Sequence, residues 1–514
     1  MRFFKFSTSR KLLFTGISIA AFSASAFSTT DFLREFQQNP IKMMQKLPME
    51  VDSYGNLKSR GSIDTKKVQE AIEFKTTTRE LIIDQSTEDD FHPLGSRFPL
   101  AGIPSGPDER DQAERLVDPG TTLVINLRDM QALNLMNIAL PVAPWADTYW
   151  PTYKGSIADR YADTNFSTYG SWEENFAQMQ TVPVETIIAS NNVTDINNLS
   201  PAEKYDFVMG DSDYTLTHFA WNKGANTPGG VATWEGICHG WSSASHLDQP
   251  IMSQSVVVMS PTGVPVTFYP EDLKGLTSML WANASVNTRF VGNTCKVANP
   301  PKNQYGRITN PDCFDPNPAT WHLAIVNQFG LNKRSFVLDA TYDIQVWNFP
   351  LAAAKYRYFN LNTHQETDNL NAAVIPIAEL RTDYFKEFRS PQAKNVVGIA
   401  MDVTYTVEIQ PTHSLADSRP TRTMRLMYDL ELDESYNVIG GEWYSNAHPD
   451  FIWTHDAKAQ ALAPEDSGII RDAWNNKSAV PANWAPLAKR ASASGIPLYS
   501  FIKKVIESTT PPTE

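Results

Sequence analysis

Two stretches in the second half of the chain, VVGIAMDVTYTVEI (396–409) and RTMRLMYDLELDE (422–434), limit the fold more than any other feature. Both are long, β-branched or alternating in polarity, and bounded by turn residues, which is the pattern of strands. SQSVVVMS, WHLAIVNQF and RSFVLDATYDIQVW read the same way, and GGEWYSNAHPDFIW closes the strand-rich region. Helical periodicity lies outside it, in TKKVQEAIEFKTTTRELI before and in the amphipathic GIPLYSFIKKVIES after. This order of elements predicts an α+β chain built on an antiparallel sheet.

The N-terminal residues carry a different signal. A basic stretch, MRFFKFSTSRK, precedes an apolar one, LLFTGISIAAFSASA, which ends in the small-x-small pattern Ala24-Ser25-Ala26. That is the form of a secretory signal peptide over residues 1–26, and it predicts export to the periplasm or the outside of the cell. The apolar run is shorter than the roughly 20 residues that span a bilayer, so no membrane segment is expected. The formal charge is −13, and losing Arg2, Lys5, Arg10 and Lys11 with the leader makes it more negative. Nucleic acid is therefore excluded as an expected partner. Residues 27–135 read as a polar N-terminal region, either a removable propeptide or a permanent cap. Residues 136–455 read as one folded body, and residues 456–514 as a helix-leaning tail ending in TTPPTE.

The chain has three cysteines. Export brings oxidising conditions, in which cysteines pair. Cys295 and Cys313 flank KVANPPKNQYGRITNPD, a Pro- and Asn-rich segment with little apolar anchoring. A disulfide there would hold it by roughly 3 kcal/mol. Cys238 is then left as a free thiol within TWEGICHGWSSAS. A helix starting at Cys238, after a turn at Gly236, puts the thiol where unpaired N–H groups favour thiolate and can hold an oxyanion. Trp234 and Trp241 bracket it, to wall off an acyl intermediate, to offer an indole N–H, or simply to pack in the core.

A nucleophile needs a base. On such a helix His239 projects about 100° away from Cys238 and His246 lies about 12 Å up the axis, so neither is well placed. WHLAIVNQF and RSFVLDAT offer a better one if they form a hairpin through a two-residue Gly330-Leu331 turn. His322 then sits directly across from Asp339 at a Cβ separation of about 5 Å. Asp343 falls about 13 Å farther along the strand. The expected site is thus a helix-borne Cys238 meeting a strand-borne His322, itself oriented by Asp339. His218, His364, His413, His448 and His455 are expected to be structural.

Gly-x-Cys-x-x-Trp, a later His and then Asp-x-Thr resemble the transglutaminase-like branch of the papain-like cysteine enzymes. PWADTYWPTYKG, GICHGW, NPATWH, FVLDATYDIQVWNFP and GGEWYSNAHPDFIW together resemble the transglutaminase elicitor family of oomycetes and bacteria. The resemblance implies a papain-like or transglutaminase-like core, with Cys238 as nucleophile, His322 as general base and acid, and Asp339 as its orienter. It also implies a secreted acyltransferase that forms a thioester with a protein glutamine and passes the acyl group to a lysine or other primary amine. Its partners would be proteins with accessible glutamine and lysine. No cofactor is required for that chemistry. Calcium, which some transglutaminases need, has two candidate stretches in Asp211-Ser212-Asp213 and DLELDE, neither with EF-hand spacing. VWNFP (346–350) falls where oomycete members carry a surface fragment recognised by plant hosts, with Phe349 in place of their Gln. The alternatives are a papain-like protease or glutamine deamidase using the same residues, and a non-catalytic secreted elicitor or binding module.

Overall fold

The computed structural model describes residues 27–70 and 111–508, apart from 167, 228–229, 249–253, 294, 296, 298, 311–312, 314 and 341–344. The expected leader, most of the helical stretch at 65–82, Asp343 and TTPPTE lie outside the described residues.

The strands in chain order are β1 (Met49–Val51), β2 (Leu57–Lys58), β3 (Asn137–Ala139), β4 (Val256–Met259), β5 (Pro265–Phe268), β6 (Thr288–Gly292) and β7 (Val337–Asp339). They continue with β8 (Asn348–Phe359), β9 (Glu366–Thr367), β10 (Ile375–Pro376), β11 (Asn395–Thr406), β12 (Thr421–Leu432), β13 (Val438–Trp443) and β14 (Phe451–His455). Among the described residues, twelve of them form one sheet, eight along the path β2-β1-β12-β11-β8-β7-β14-β6 with β3, β9, β10 and β13 pairing off it, while β4 and β5 pair apart. The pairings along that path are antiparallel.

β11 and β12 occupy the two stretches that dominated the sequence and pair without interruption from Asn395↔Leu432 to Thr406↔Thr421. Alternation sends Val397, Ile399, Met401, Val403 and Tyr405 into one core. Ala400, with Met427 of β12, goes to the opposite face. A bulge where β8 passes Thr404 and Tyr405 pairs Thr404 with Ala353 but Tyr405 with Leu351, and so exchanges the faces of the residues on either side.

The first face is covered by a helix over Pro318–Ala324 that continues through π-helical turns to Leu331. WHLAIVNQF is therefore a helix, not a strand. Asn317 caps it by accepting from Ala319 N, and Pro318 sits at its first position, a start signal that outranks the short apolar run behind it. Burial of Trp321, Ala324, Ile325 and Phe329 then satisfies a helical repeat that periodicity alone could not separate from a buried strand. The expected hairpin is absent. Asp339 pairs instead with Asn348, so the sheet carries the aspartate but not His322.

The second face is shared. At one end, the helices Thr29–Gln38 and Pro40–Met44 set Phe32, Leu33, Phe36, Met43 and Met44 against Phe359, Ala400, Met427 and Tyr444. Here β1 adds an edge strand to β12. At the other end lies a helical layer whose core takes in Tyr205, Trp221, Trp241 and Leu276 together with Trp484 and Phe501. The C-terminal residues are thus part of that core: Phe501 is fully buried between Trp474 and Tyr205.

Each apolar side chain the N-terminal helices bury contributes about 1.5–3 kcal/mol. A chain truncated before Arg60 should therefore lose stability and self-associate through the bared face and the open edge of β12. Urea melting and size-exclusion chromatography check this; an unchanged midpoint and a monomeric profile would show that these residues are dispensable packing.

Candidate active site

Cys238 opens a helix over Cys238–Leu247, as the sequence predicts. Two glycines allow the approach that places it. A Cβ on Gly236 would lie 2.3 Å from Tyr149 O, and one on Gly240 would lie 2.1 Å from Ser278 O of the neighbouring Pro270–Asn283 helix. With neither present, Ile237 N donates to Tyr149 O at 2.8 Å, and the PWADTYW segment runs against the start of the helix.

The thiol is the free cysteine among the described residues, since Cys295 and Cys313 form the expected disulfide. It is 6% exposed. Its Sγ lies 3.5 Å from Asn348 Nδ2, which donates to it, and 3.8 Å from Val346 O. Trp453 Nε1 donates to Asn348 Oδ1 at 2.8 Å and fixes which end of the amide faces the sulfur. Asp339, opposite Asn348 in the sheet, accepts from Trp347 N at 3.1 Å. Tyr149 and Trp347 meet edge to face at 5.3 Å, and the Tyr149 hydroxyl donates to Thr233 O.

The thiol does not have the lowered pKa expected of a helix N-terminus. Burial pushes it up, the Asn348 hydrogen bonds oppose this, and the charges of Glu408 and Asp339 push the same way as burial. Desolvation is the largest of these effects.

His322 lies elsewhere. Its Nδ1 pairs with the Tyr428 hydroxyl at 2.9 Å and its ring packs edge to face on Tyr356, 4.7 Å between centroids. Tyr356 pairs with Met401 and shares its core, whereas Leu351 reaches that core only beyond the bulge. Asn348, three residues before Leu351, points to the opposite face. The Tyr356–Asn348 interval is also about 25 Å of strand at about 3.3 Å per residue. His322 and Cys238 are therefore separated by both the thickness and the length of the sheet. Burial pulls the fully enclosed imidazole down to about 3, so it is neutral at ordinary pH in this arrangement.

The other expectations resolve individually. Trp241 is fully buried and its Nε1 donates to Trp145 O at 3.1 Å, so it packs the core and has no N–H left for an oxyanion. Trp234 is half-buried in the turn before the helix. Among the calcium candidates, Asp211 accepts from the backbone of Asp213 and Thr215, and Asp213 pairs with Lys489. In DLELDE, Asp429 and Glu431 pair with Arg389, while Asp433 caps the turn to Asn437. Among the described residues no group of three His, Cys, Asp or Glu side chains is arranged to hold a metal ion, and no helix is long and apolar enough to cross a membrane. The residues that surround the thiol and that sequence reasoning assigned no role are Tyr149, Trp347, Asn348 and Glu408. The first three lie inside PWADTYWPTYKG and VWNFP, so the motifs were visible although their chemistry was not.

A family model described as transglutaminase elicitor matches residues 119–473. No curated protein matches the chain. Among solved structures, the crystal structure of the GP42 transglutaminase from Phytophthora sojae is similar at 22% identity and a TM-score of 0.45, over 73% of this chain and 95% of that one.

If His322 is structural, His322→Gln should leave the alkylation rate of Cys238 within about twofold. It should still cost about 2 kcal/mol at neutral pH, through lost packing and a stranded tyrosine hydroxyl. The sign with pH follows from a folded pKa below the ordinary 6.5. The unfolded chain takes up the proton first, so the contribution of His322 is full above 6.5 and is lost as pH falls toward 3. Urea titrations should therefore show the gap between wild type and variant narrowing from pH 7 to pH 4.

Proposed function

We propose that this chain, which belongs to the transglutaminase elicitor family, is a secreted protein-glutamine γ-glutamyltransferase with Cys238 as its nucleophile. The observation that supports this most directly is the seating of Cys238. A lone thiol begins a helix, is held by a fixed amide donor, and faces the paired Asp339 and Asn348 of an antiparallel sheet. A cysteine kept only for packing needs neither a hydrogen-bond donor on its sulfur nor the close backbone passage at Gly236 and Gly240.

In this reading Cys238 Sγ attacks the γ-carboxamide carbon of a glutamine side chain. The carbon–nitrogen bond breaks, the thiol proton goes to the departing nitrogen, and ammonia leaves a thioester behind. The amide of Asn348, 3.5 Å from sulfur, stabilises sulfur while it carries negative charge. A primary amine then displaces the thiolate and forms an isopeptide bond; water in its place gives glutamate. The thiol is buried, with Tyr149 near it, and this limits the access of water, which favours amine over water. Asp339 holds the backbone of Trp347, the residue next to the amide donor Asn348. Export agrees with the Cys295–Cys313 disulfide and with the basic-then-apolar leader.

The test is incorporation of a fluorescent primary amine into casein by the mature protein, with and without calcium, beside Cys238→Ala. Incorporation should fall to background in the variant, a loss of about a thousandfold or more. Cys238-dependent ammonia release without incorporation would make the protein a deamidase, and Cys238-dependent peptide cleavage a protease. A wild type inert in all three assays would leave the elicitor or binding-module reading.

A further inference from the structure

Glu408 is the titratable group near the thiol that the mechanism above leaves unused. It lies just past β11, in a segment held by Val407 N donating to Pro420 O and Ile409 N donating to Asp147 O, both at 3.0 Å. The β8–β11 pairing ends at Leu351↔Tyr405, and beyond it the chain carrying Glu408 runs beside residues 144–147, the segment that leads to Tyr149 and to the start of the Cys238 helix. Thr406, on the same side of the strand, donates to Pro144 O in the segment that leads to Tyr149. The Glu408 charge acts on both the Cys238 thiol and the Tyr149 hydroxyl, which places the carboxylate beside the covered site.

Three properties of this carboxylate point to a cation that is not part of the chain. Its Oε1 is buried without a hydrogen-bond partner. Among the described residues it makes no ion pair, and Arg422, the cation that offsets its burial, is exposed on β12 across from Tyr405. Burial pushes it up to about 7, with Arg422 opposing. A carboxyl so poised exists in both protonation states near neutrality, as a proton acceptor must.

We propose that Glu408 is the acceptor subsite of the acyl transfer: it binds the ammonium of a lysine side chain or alkylamine and takes its proton before attack. The inference rests on the thioester reading above. A lysine amine arrives protonated, since its ordinary pKa is about 10.4, and an ammonium has no lone pair with which to attack. Glu408 accepts one proton and leaves the neutral amine. The amine nitrogen bonds to the thioester carbon, the carbon–sulfur bond breaks, and the departing thiolate takes the second proton from nitrogen. Glu408 then returns its proton to solvent. The glutamine donor is neutral and makes no such demand, so the carboxylate acts on the second half-reaction.

The experiment compares two acceptors with one glutaminyl dipeptide donor in the mature protein: cadaverine, a cation at neutral pH, and hydroxylamine, which is uncharged there. In Glu408→Gln the ratio of kcat/KM for cadaverine to that for hydroxylamine should fall at least about tenfold, mainly through KM for cadaverine. Glu408→Asp, which keeps the charge, should restore most of the ratio. An equal loss toward both acceptors would make Glu408 a structural residue and overturn the proposal, as would an unchanged ratio. Absence of Cys238-dependent ammonia release in the wild type would instead remove the thioester reading and this inference with it.

Discussion

The position of the free thiol depends on a contact that contains no side chain. Gly240 lets the Cys238 helix lie on the backbone of the Pro270–Asn283 helix, where a Cβ would also come within 2.7 Å of Ala282 Cβ. That approach brings Trp241 Nε1 to Trp145 O and leaves room beneath the helix start for residues 145–150. The segment is then locked by buried polar groups. Asp147 accepts from Thr148 N, Trp150 Nε1 and Ser278 Oγ, while Lys274 donates to Ala146 O and to Glu271. Burial and the Glu271 charge push the Asp147 carboxyl up, against the pull of Lys274. Such a network adds little net stability after desolvation, and its effect is to fix geometry. The thiol is thereby referenced to two rigid bodies at once, the helical layer that carries it and the sheet that faces it.

Closure sets the chemistry of that thiol. In an exported protein an exposed, low-pKa thiol would oxidise, whereas a buried one with a raised pKa stays reduced and unreactive until something enters. Tyr149 and Trp347 meet edge to face, and both are tied down, Tyr149 through Thr233 O and Trp347 through Asp339 and Gln345. In the proposed reaction the amide of Asn348, already aimed at sulfur, would need no reorganisation when charge develops there.

Much of this was legible in the sequence. The two long strands showed because alternation over a dozen residues is a strong signal, and the disulfide and the helix start at Cys238 followed from redox logic and a Gly-bearing turn. His322 was placed on a strand and not on a helix for a definite reason. WHLAIVNQF shows no clean apolar stripe because its helix is buried almost throughout, polar side chains included, which erases the repeat that tells helix from strand. The Asn317-Pro318 start signal was the cue that could have corrected it. Asn348 and Glu408 were beyond reach for another reason. The facing of Asn348 depends on a bulge that exchanges the faces of β8, no local pattern announces which residue a bulge will skip, and Glu408 lies past the paired end of β11.

VWNFP shows what that dependence means for the family. Val346 offers its carbonyl to the thiol, the Trp347 backbone is held by Asp339, and Asn348 is the amide donor. Phe349 packs against Trp241 and Tyr405, and Pro350 pairs with Val337. Every residue of the segment is thus committed to the wall of the site, with Asn348 and Pro350 buried. A polar residue at 349 would trade two aromatic contacts for solvation and loosen the strand start that carries the amide donor. Phe349 is therefore best understood as part of how this chain holds its thiol closed. In this protein the sequence of VWNFP answers first to the geometry around Cys238, and any recognition of the segment by another molecule would have to read residues already bound to the site.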